Sequence, residues 1–264
     1  MATVPYDQRE GFIWLNGQLV PWGDAKVHVL THGLHYASAV FEGMRAYDGA
    51  IFKLNEHSQR LHESAKILDF EIPYSVAELD KAARDVLRAN KLTDAYVRPI
   101  AWRGSEQMGV AAQATKTNVA IAAWDWGSYF DPAARAKGLR LTFAQFRRPD
   151  PRTAPTMSKA TGANIFFVQN GVLHTPLPDC FLDGITRRTV IGLAKQRGLK
   201  VIERAIMPEE LAELSECFIT GTAAEVTPVS EIGQYKFAIG DITRKLMDDF
   251  TTLVHPAKAV AATG

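Results

Sequence analysis

The chain has 264 residues, 47% of them hydrophobic and 22% charged, with a formal net charge of +1. That length supports one large domain or two small ones with sizeable cores. Near-neutral charge gives no electrostatic drive toward nucleic acid or anionic membranes, and no apolar run reaches the roughly 20 residues that span a bilayer.

The expected elements open with a hairpin, Phe12 to Leu15 and Gln18 to Val20 around Asn16-Gly17, a dipeptide suited to a type I′ turn. A strand over Val40 to Tyr47 pairs with Ile51 to Leu54, and a helix follows from about Glu56 to Leu68. Ser75-Val76-Ala77-Glu78 is a capping box for a second helix with a buried stripe of Val76, Leu79, Ala83, Val86 and Leu87. Ala95 to Trp102 and Asn118 to Trp124 read as buried strands. The second half starts with a strand from Leu139 to Phe146 and a loop from Arg147 to Pro155. An Asn170-Gly171 hairpin joins Ile165–Val168 to Val172–Leu173, and a helix from Ile185 to Gln196 stops at Gly198. Leu199 to Ile206 is expected as a strand, and Pro208 starts a short helix. The order suggests an α+β chain: a small N-terminal domain over 1–126, a linker over 127–135 and a second domain over 136–264. Cys180 and Cys217 lack metal-ligand spacing and read as reduced core thiols. Met1 to Gly11 lacks the apolar core of a signal peptide, so the cytoplasm is the expected compartment.

The most informative stretch is Phe218 to Val229, where an apolar strand runs into a Gly-Thr-Ala-Ala turn. Such a turn offers a hydroxyl and backbone N–H groups that cradle a phosphate or carboxylate. Asp183-Gly184-Ile185-Thr186-Arg187 opens a helix and forms a second anion site through free N–H groups and the helix dipole. Two such cradles and one lysine point to a phosphorylated aldehyde cofactor. Lys159, after a Pro-rich loop, is either a solvated surface residue or a Schiff-base lysine with a pKa lowered by burial. Arg60 is either a helix-surface charge or a bidentate phosphate ligand. Arg98, within the apolar Tyr96-Val97-Arg98-Pro99-Ile100, needs a partner, structural or a substrate carboxylate. His32 and His35 fit simple packing better than a metal site, and no metal is expected.

Together these segments resemble the fold-type IV pyridoxal-phosphate enzymes, which share the D-amino-acid aminotransferase-like fold, and within them the branched-chain amino-acid aminotransferases. The resemblance rests on Val40–Tyr47, Glu56–Leu61, Tyr96–Pro99, Leu182–Arg187 and Gly221–Glu225. It implies a two-domain α+β fold whose C-terminal domain binds the cofactor. It implies Lys159 as the Schiff-base lysine and Arg60, Ile185, Thr186 and Thr222 as holders of the pyridoxal 5'-phosphate phosphate group. Tyr96, Arg98 and Ala223 would position the substrate carboxylate, and Phe41, Gly43, Trp126 and Tyr129 would wall the side-chain pocket. Tyr36 and Val110 would reach the pocket of a neighbouring subunit in a homodimer or larger homo-oligomer. The implied reaction is transamination of leucine, isoleucine or valine with 2-oxoglutarate. D-amino-acid aminotransferase and aminodeoxychorismate lyase share the scaffold and stand as alternatives. So does a non-catalytic, cofactor-binding or dimerising homologue.

The chain departs from that family after Lys159-Ala160, which passes directly into Thr161-Gly162-Ala163-Asn164. A block that carries a tyrosine and a glutamate facing the pyridine nitrogen is missing there. Lys159 therefore aligns with both the lysine and the glutamate positions. The shortened second domain implies slow transamination, because the carboxylate tunes the cofactor as an electron sink.

Overall fold

The computed structural model describes residues 4–145, 163–179 and 181–256. Lys159 and Cys180 lie outside the described residues, as does the expected loop from Arg147 to Pro155. The chain divides into two compact units, Met1–Gly127 and Ser128–Gly264.

In the first unit, β1 (Phe12–Leu15) and β2 (Gln18–Pro21) form the expected hairpin. Asn16 and Gly17 both have positive φ, as a type I′ turn requires. The Asn16 side chain also accepts a hydrogen bond from Val119 N at 2.8 Å, tying the turn to the neighbouring strand. A short helix α1 (His32–Tyr36) precedes β3 (Ala39–Phe41), β4 (Met44–Tyr47) and β5 (Ala50–Ile51). Helices α2 (Leu54–Ile67) and α3 (Val76–Ala89) lead to the long strands β6 (Ala95–Arg103) and β7 (Thr117–Asp125). The Ser75–Glu78 capping box is formed in both directions. Within the stripe read for α3, Leu79, Ala83, Val86 and Leu87 are buried and Val76 is half-buried.

The sheet runs β2-β1-β7-β6-β4-β5, with β3 also pairing to β6. The single strand expected over 40–47 is therefore two strands on one partner, broken at Glu42–Gly43. Glu42 N bonds Pro99 O at 2.9 Å, and a Cβ on Gly43 would lie 2.0 Å from Tyr96 Oη. Side chains alternate across β6 and β7. Val97, Ala101, Val119, Ile121 and Ala123 are buried on the face where α3 packs. Tyr96, Arg98, Ile100 and Trp102 take the other face, opposite Trp124, Ala122, Ala120 and Asn118.

The second unit opens with α4 (Pro132–Lys137), whose first turn is capped by Asp131 Oδ1 accepting from Ala134 N at 3.0 Å. Strand β8 (Leu139–Leu141) is shorter than the expected Leu139–Phe146, of which Phe146 lies outside the described residues. The hairpin β9 (Asn164–Gln169) and β10 (Val172–Thr175) turns at Asn170-Gly171, both at positive φ. Helix α5 (Ile185–Gln196) has the expected bounds, with Gly198 at φ +74° after its end. Strand β11 (Val201–Glu203) covers only the middle of the expected 199–206, because it pairs on one side alone, with β10. Pro208–Glu213 is a 3-10 turn with Pro first. Strands β12 (Glu216–Gly221), β13 (Glu225–Ile232) and β14 (Tyr235–Lys236) and helix α6 (Asp241–Val254) complete the unit.

This sheet runs β11-β10-β9-β12-β13-β14, with β8 parallel to β13. One face holds Phe167, Leu211, Leu214, Cys217, Val229, Ile232 and Phe237. Phe166 and Phe218 alternate to the other face and stack at 5.0 Å, and α5 and α6 pack on β12. Cys217 is buried and free, and burial raises its thiol pKa well above the usual value, as a core thiol requires. No helix of the described residues is long and apolar enough to cross a membrane.

Candidate active site

Asn164 organises one end of the second sheet. It lies opposite Thr220 in the β9–β12 ladder, and its Nδ2 donates to Leu182 O at 3.0 Å. A Cβ on Gly184 would fall 2.2 Å from Asn164 Oδ1, so the loop opening α5 approaches this strand end more closely than any side chain permits. Gly221 and Thr222 follow Thr220 directly, so the β12–β13 turn and the start of α5 emerge at the same sheet end. The two cradles read from the sequence are thus neighbours. Gly184 is the N-cap and brings no capping side chain to the first-turn N–H groups of α5. Those groups have no intrahelical acceptors and carry the positive end of the helix dipole. Asn164 Oδ1 and Thr220 Oγ1 are buried and have no hydrogen-bond partner among the described residues. Orphaned buried polar atoms are uncommon unless a further polar group completes the site. Ile185 and Thr186 are buried in this first turn, and Thr222 and Ala223 are half-buried in the turn between β12 and β13.

Arg187 holds the loop in place. It is 1% exposed and donates to Asp183 Oδ1 at 2.9 Å, Pro176 O at 3.0 Å and Glu203 Oε2 at 2.5 Å. One buried guanidinium therefore ties both ends of the 176–183 segment to β11.

In the first unit, Arg60 is buried on α2 rather than displayed on its surface. Its Nε donates to Glu42 Oε1 at 2.6 Å and its Nη2 to Glu42 Oε2 at 2.7 Å, a side-on bidentate pair. His57, one turn earlier, shares Glu42 Oε2 through Nδ1 at 2.7 Å.

The face of the first sheet opposite α3 carries the remaining candidates. Arg98 Nη2 donates to Tyr96 Oη at 3.0 Å, and its guanidinium carbon lies 4.3 Å from the centre of the Phe41 ring. Arg98 is half-buried, and among the described residues its Nε has no hydrogen-bond partner and no carboxylate pairs with it. Cation–π contacts compensate only part of the cost of removing such a charge from water. Tyr96 stacks on Trp124 at 5.1 Å and meets Trp126 at 4.8 Å. Gly43 seats the Tyr96 hydroxyl, as the close Cβ approach shows. Arg98 also borders an apolar cavity of about 290 Å³ lined by Leu15, Leu34, Ile100, Trp102 and Ala120.

Tyr36 and Val110 are exposed, Val110 by 86%. Buried His32 joins their segments: its ring lies 4.6 Å from Tyr36, its Nε2 is 2.9 Å from Gly109 O, and its Nδ1 is 2.6 Å from Ser38 Oγ. Tyr129 belongs to the second unit, is exposed, and packs edge-on against Phe130. His35 Nε2 meets Val29 O at 2.9 Å. No group of metal-binding residues occurs among the described residues.

The sequence reading passed over Glu42, His57, Trp124 and Asn164. A signal existed for two of them. Glu42 is a charge inside an apolar run, as Arg98 is, and His57 sits three residues before Arg60 on the same helix face.

The family model described as "Amino-transferase class IV" matches residues 39–162 and 156–232. The two matches overlap over 156–162, so this short stretch, which contains Lys159, answers to two places in the family. A branched-chain-amino-acid aminotransferase of Pseudomonas aeruginosa is 39% identical over 93% of this chain and 94% of its own length. Their alignment runs over 287 positions, more than the 264 residues of this chain. Among solved structures, the Escherichia coli branched-chain amino acid aminotransferase superposes with a TM-score of 0.87 at 36% identity, over 93% of this chain and 95% of that one. The branched-chain amino acid aminotransferase from Thermobaculum terrenum, in its PLP form, does so with a TM-score of 0.84 at 27% identity, over 94% and 95%. With the folds matched over nearly their whole lengths, this chain belongs to the class IV aminotransferases.

Proposed function

We propose that the chain carries out pyridoxal-phosphate-dependent transamination of branched-chain L-amino acids, with 2-oxoglutarate as amino acceptor. The observation that carries this reading is the convergence of the uncapped α5 N-terminus and the Gly221–Thr222 turn at one sheet end. The site fits a phosphate: a loop too close for a Cβ, first-turn N–H donors, a threonine hydroxyl, and two buried polar atoms without partners among the described residues. Ile185, Thr186 and Thr222 bind the phosphate there, and the resemblance gives Arg60 a phosphate-binding role as well. When bound, the cofactor supplies the electron sink for ionising the amino acid's Cα–H bond.

The remaining roles belong to this chain's side chains. Arg98, with no carboxylate partner among the described residues, takes a substrate carboxylate with Tyr96 Oη, and the resemblance gives Ala223 a part in the same task. Phe41, Gly43 and Trp126 wall the substrate side chain and exclude water, and the resemblance gives Tyr129 the same role. Lys159, outside the described residues, provides the amine that holds the cofactor and moves the proton from Cα. The names of the relatives and the apolar character of Phe41 and Trp126 support branched aliphatic substrates. Discrimination among leucine, isoleucine and valine is modest, since one methylene is worth about 1–3 kcal/mol. The chain also assembles as a homodimer, supported by the exposed apolar Val29, Leu34, Tyr36 and Val110.

Side-by-side initial rates with L-leucine, D-alanine and aminodeoxychorismate test the reading. L-leucine is expected to react fastest. A preference for either of the others would transfer the chain to a different branch of the scaffold.

A further inference from the structure

The hairpin that presents Thr222 closes on a residue with an uncommon backbone. Gly221 pairs with Glu225 across the β12–β13 turn, and Glu225 has φ +52°, in the left-handed region that carries a steric penalty for a residue with a Cβ. Such conformations persist only where the surroundings over-determine them. Arg135, on α4, supplies a constraint of that kind. Its Nη2 donates to Val226 O at 2.9 Å, and its Nη1 lies 3.3 Å from Glu225 Oε2. Thr227 Oγ1 donates back to Ala224 O at 2.5 Å, so Ala224, Glu225 and Val226 are each held in turn. Helix α4 is fastened again farther along β13. There Ser230 Oγ donates to Gly138 O at 3.0 Å, and a Cβ on Gly138 would lie 2.9 Å from Ser230 N. Arg135 thus reaches the turn from a helix whose place along β13 is fixed, and all of these residues belong to the second unit.

We propose that Arg135 is a positioning residue that holds the Gly221–Ala224 turn in the shape that receives an anion. The inference rests on the assignment of Thr222 to the cofactor phosphate. A cradle of this kind works through the direction of its backbone N–H groups, which the φ and ψ angles of the turn set. The two groups that Arg135 binds there, a carbonyl and a carboxylate, are both acceptors. It therefore braces the turn without taking a donor that a phosphate needs. Its planar fork meets both acceptors at once, which a lysine ammonium on a flexible stem does not reproduce. With the fork removed, the left-handed backbone at Glu225 loses part of what enforces it, and the amides of the turn lose their common direction.

The test compares the affinity of the full-length apo chain for pyridoxal 5'-phosphate and for pyridoxal, which lacks the phosphate. Wild type, R135M, R135K and T222A are titrated by absorbance, and melting temperatures establish that each is folded. T222A is expected to lower the preference for the phosphorylated ligand, because it removes a hydroxyl from the cradle itself. R135M is expected to lower that preference by about fivefold or more while binding of pyridoxal changes little. R135K keeps the charge but not the fork, so it should shift the preference in the same direction, and it stands in should R135M fail to fold. If T222A lowers the preference while both Arg135 variants leave it unchanged, the positioning role of Arg135 is wrong and the phosphate role of the turn stands. A loss in R135M with full preference in R135K would make the effect one of charge and overturn the brace. An equal loss for both ligands would overturn it too, by reducing Arg135 to a support of the fold. If T222A itself leaves the preference unchanged, the assignment of Thr222 fails and this inference with it.

Discussion

Single side chains decide this site by what they leave unpaired and by what they exclude. Arg98 was legible in the sequence because a cation inside an apolar strand must find a partner. The structure then gives it two π-faces and a phenol but no carboxylate among the described residues. Glu42 obeyed the same rule yet escaped notice, because the run Val40 to Tyr47 reads as one continuous strand. Only the fold shows that the strand breaks where Gly43 admits the Tyr96 hydroxyl. That approach makes a prediction: in G43A the added methyl occupies the position of Tyr96 Oη, 2.0 Å away. The tyrosine must swing out, and steady-state kinetics with leucine should lose on the order of a hundredfold in kcat/KM. Because Gly43 takes no part in the α5 cradle, binding of the cofactor should change far less. Equal losses in both would contradict the assigned role of the Tyr96 wall.

At the scale of elements, legibility followed the range of the interactions that define each boundary. The two Asn-Gly hairpins, the Ser75 capping box and the α5 span are set by neighbours a few residues away, and all were readable. Helix α6 was not. Its N-cap is Gly240, and its first turn is capped instead by Glu216 of β12, which accepts from Thr243 N at 2.8 Å and Thr243 Oγ1 at 2.6 Å. A cap supplied from so far along the chain leaves no local Ser/Thr/Asp signal. The strand expected over 199–206 shrank because its length depends on a partner, β10, that only the folded sheet supplies. The α5 start depends likewise on Arg187, which clamps the loop before it. R187M removes a buried cation and its bonds to Pro176 O, Asp183 and Glu203. Urea unfolding should show a loss of about 1–3 kcal/mol from the lost hydrogen bonds, because the two carboxylates are exposed enough to be solvated. Cofactor affinity should fall as well, since the Ile185 and Thr186 amides lose their support. Full affinity in a destabilised R187M would separate the clamp from the cradle.

Across the whole molecule, the sequence announced the family through scattered short blocks, while the pairing that brings them together stayed hidden. Asn164 and Thr220 are far apart in sequence, and their opposition in the β9–β12 ladder is what joins the two anion cradles. Likewise His32 draws Tyr36 and the Gly109–Val110 turn to one surface. The overlap of the family matches at 156–162 agrees with the doubled alignment expected for Lys159. The exposed apolar residues around Tyr36 and Val110 lead to an assembly prediction. Sedimentation velocity should give twice the chain mass, and V110D should shift the population toward monomer. A wild-type monomer at all concentrations would remove the dimer from the account.

The central claim, that this chain moves an amino group by means of pyridoxal 5'-phosphate, is tested most directly with L-leucine labelled with nitrogen-15 and unlabelled 2-oxoglutarate. Purified protein loaded with the cofactor should transfer the label to glutamate, as seen by nitrogen-15 NMR, and lose that transfer when the cofactor is removed. A protein that takes up the cofactor yet produces no labelled glutamate would contradict the claim.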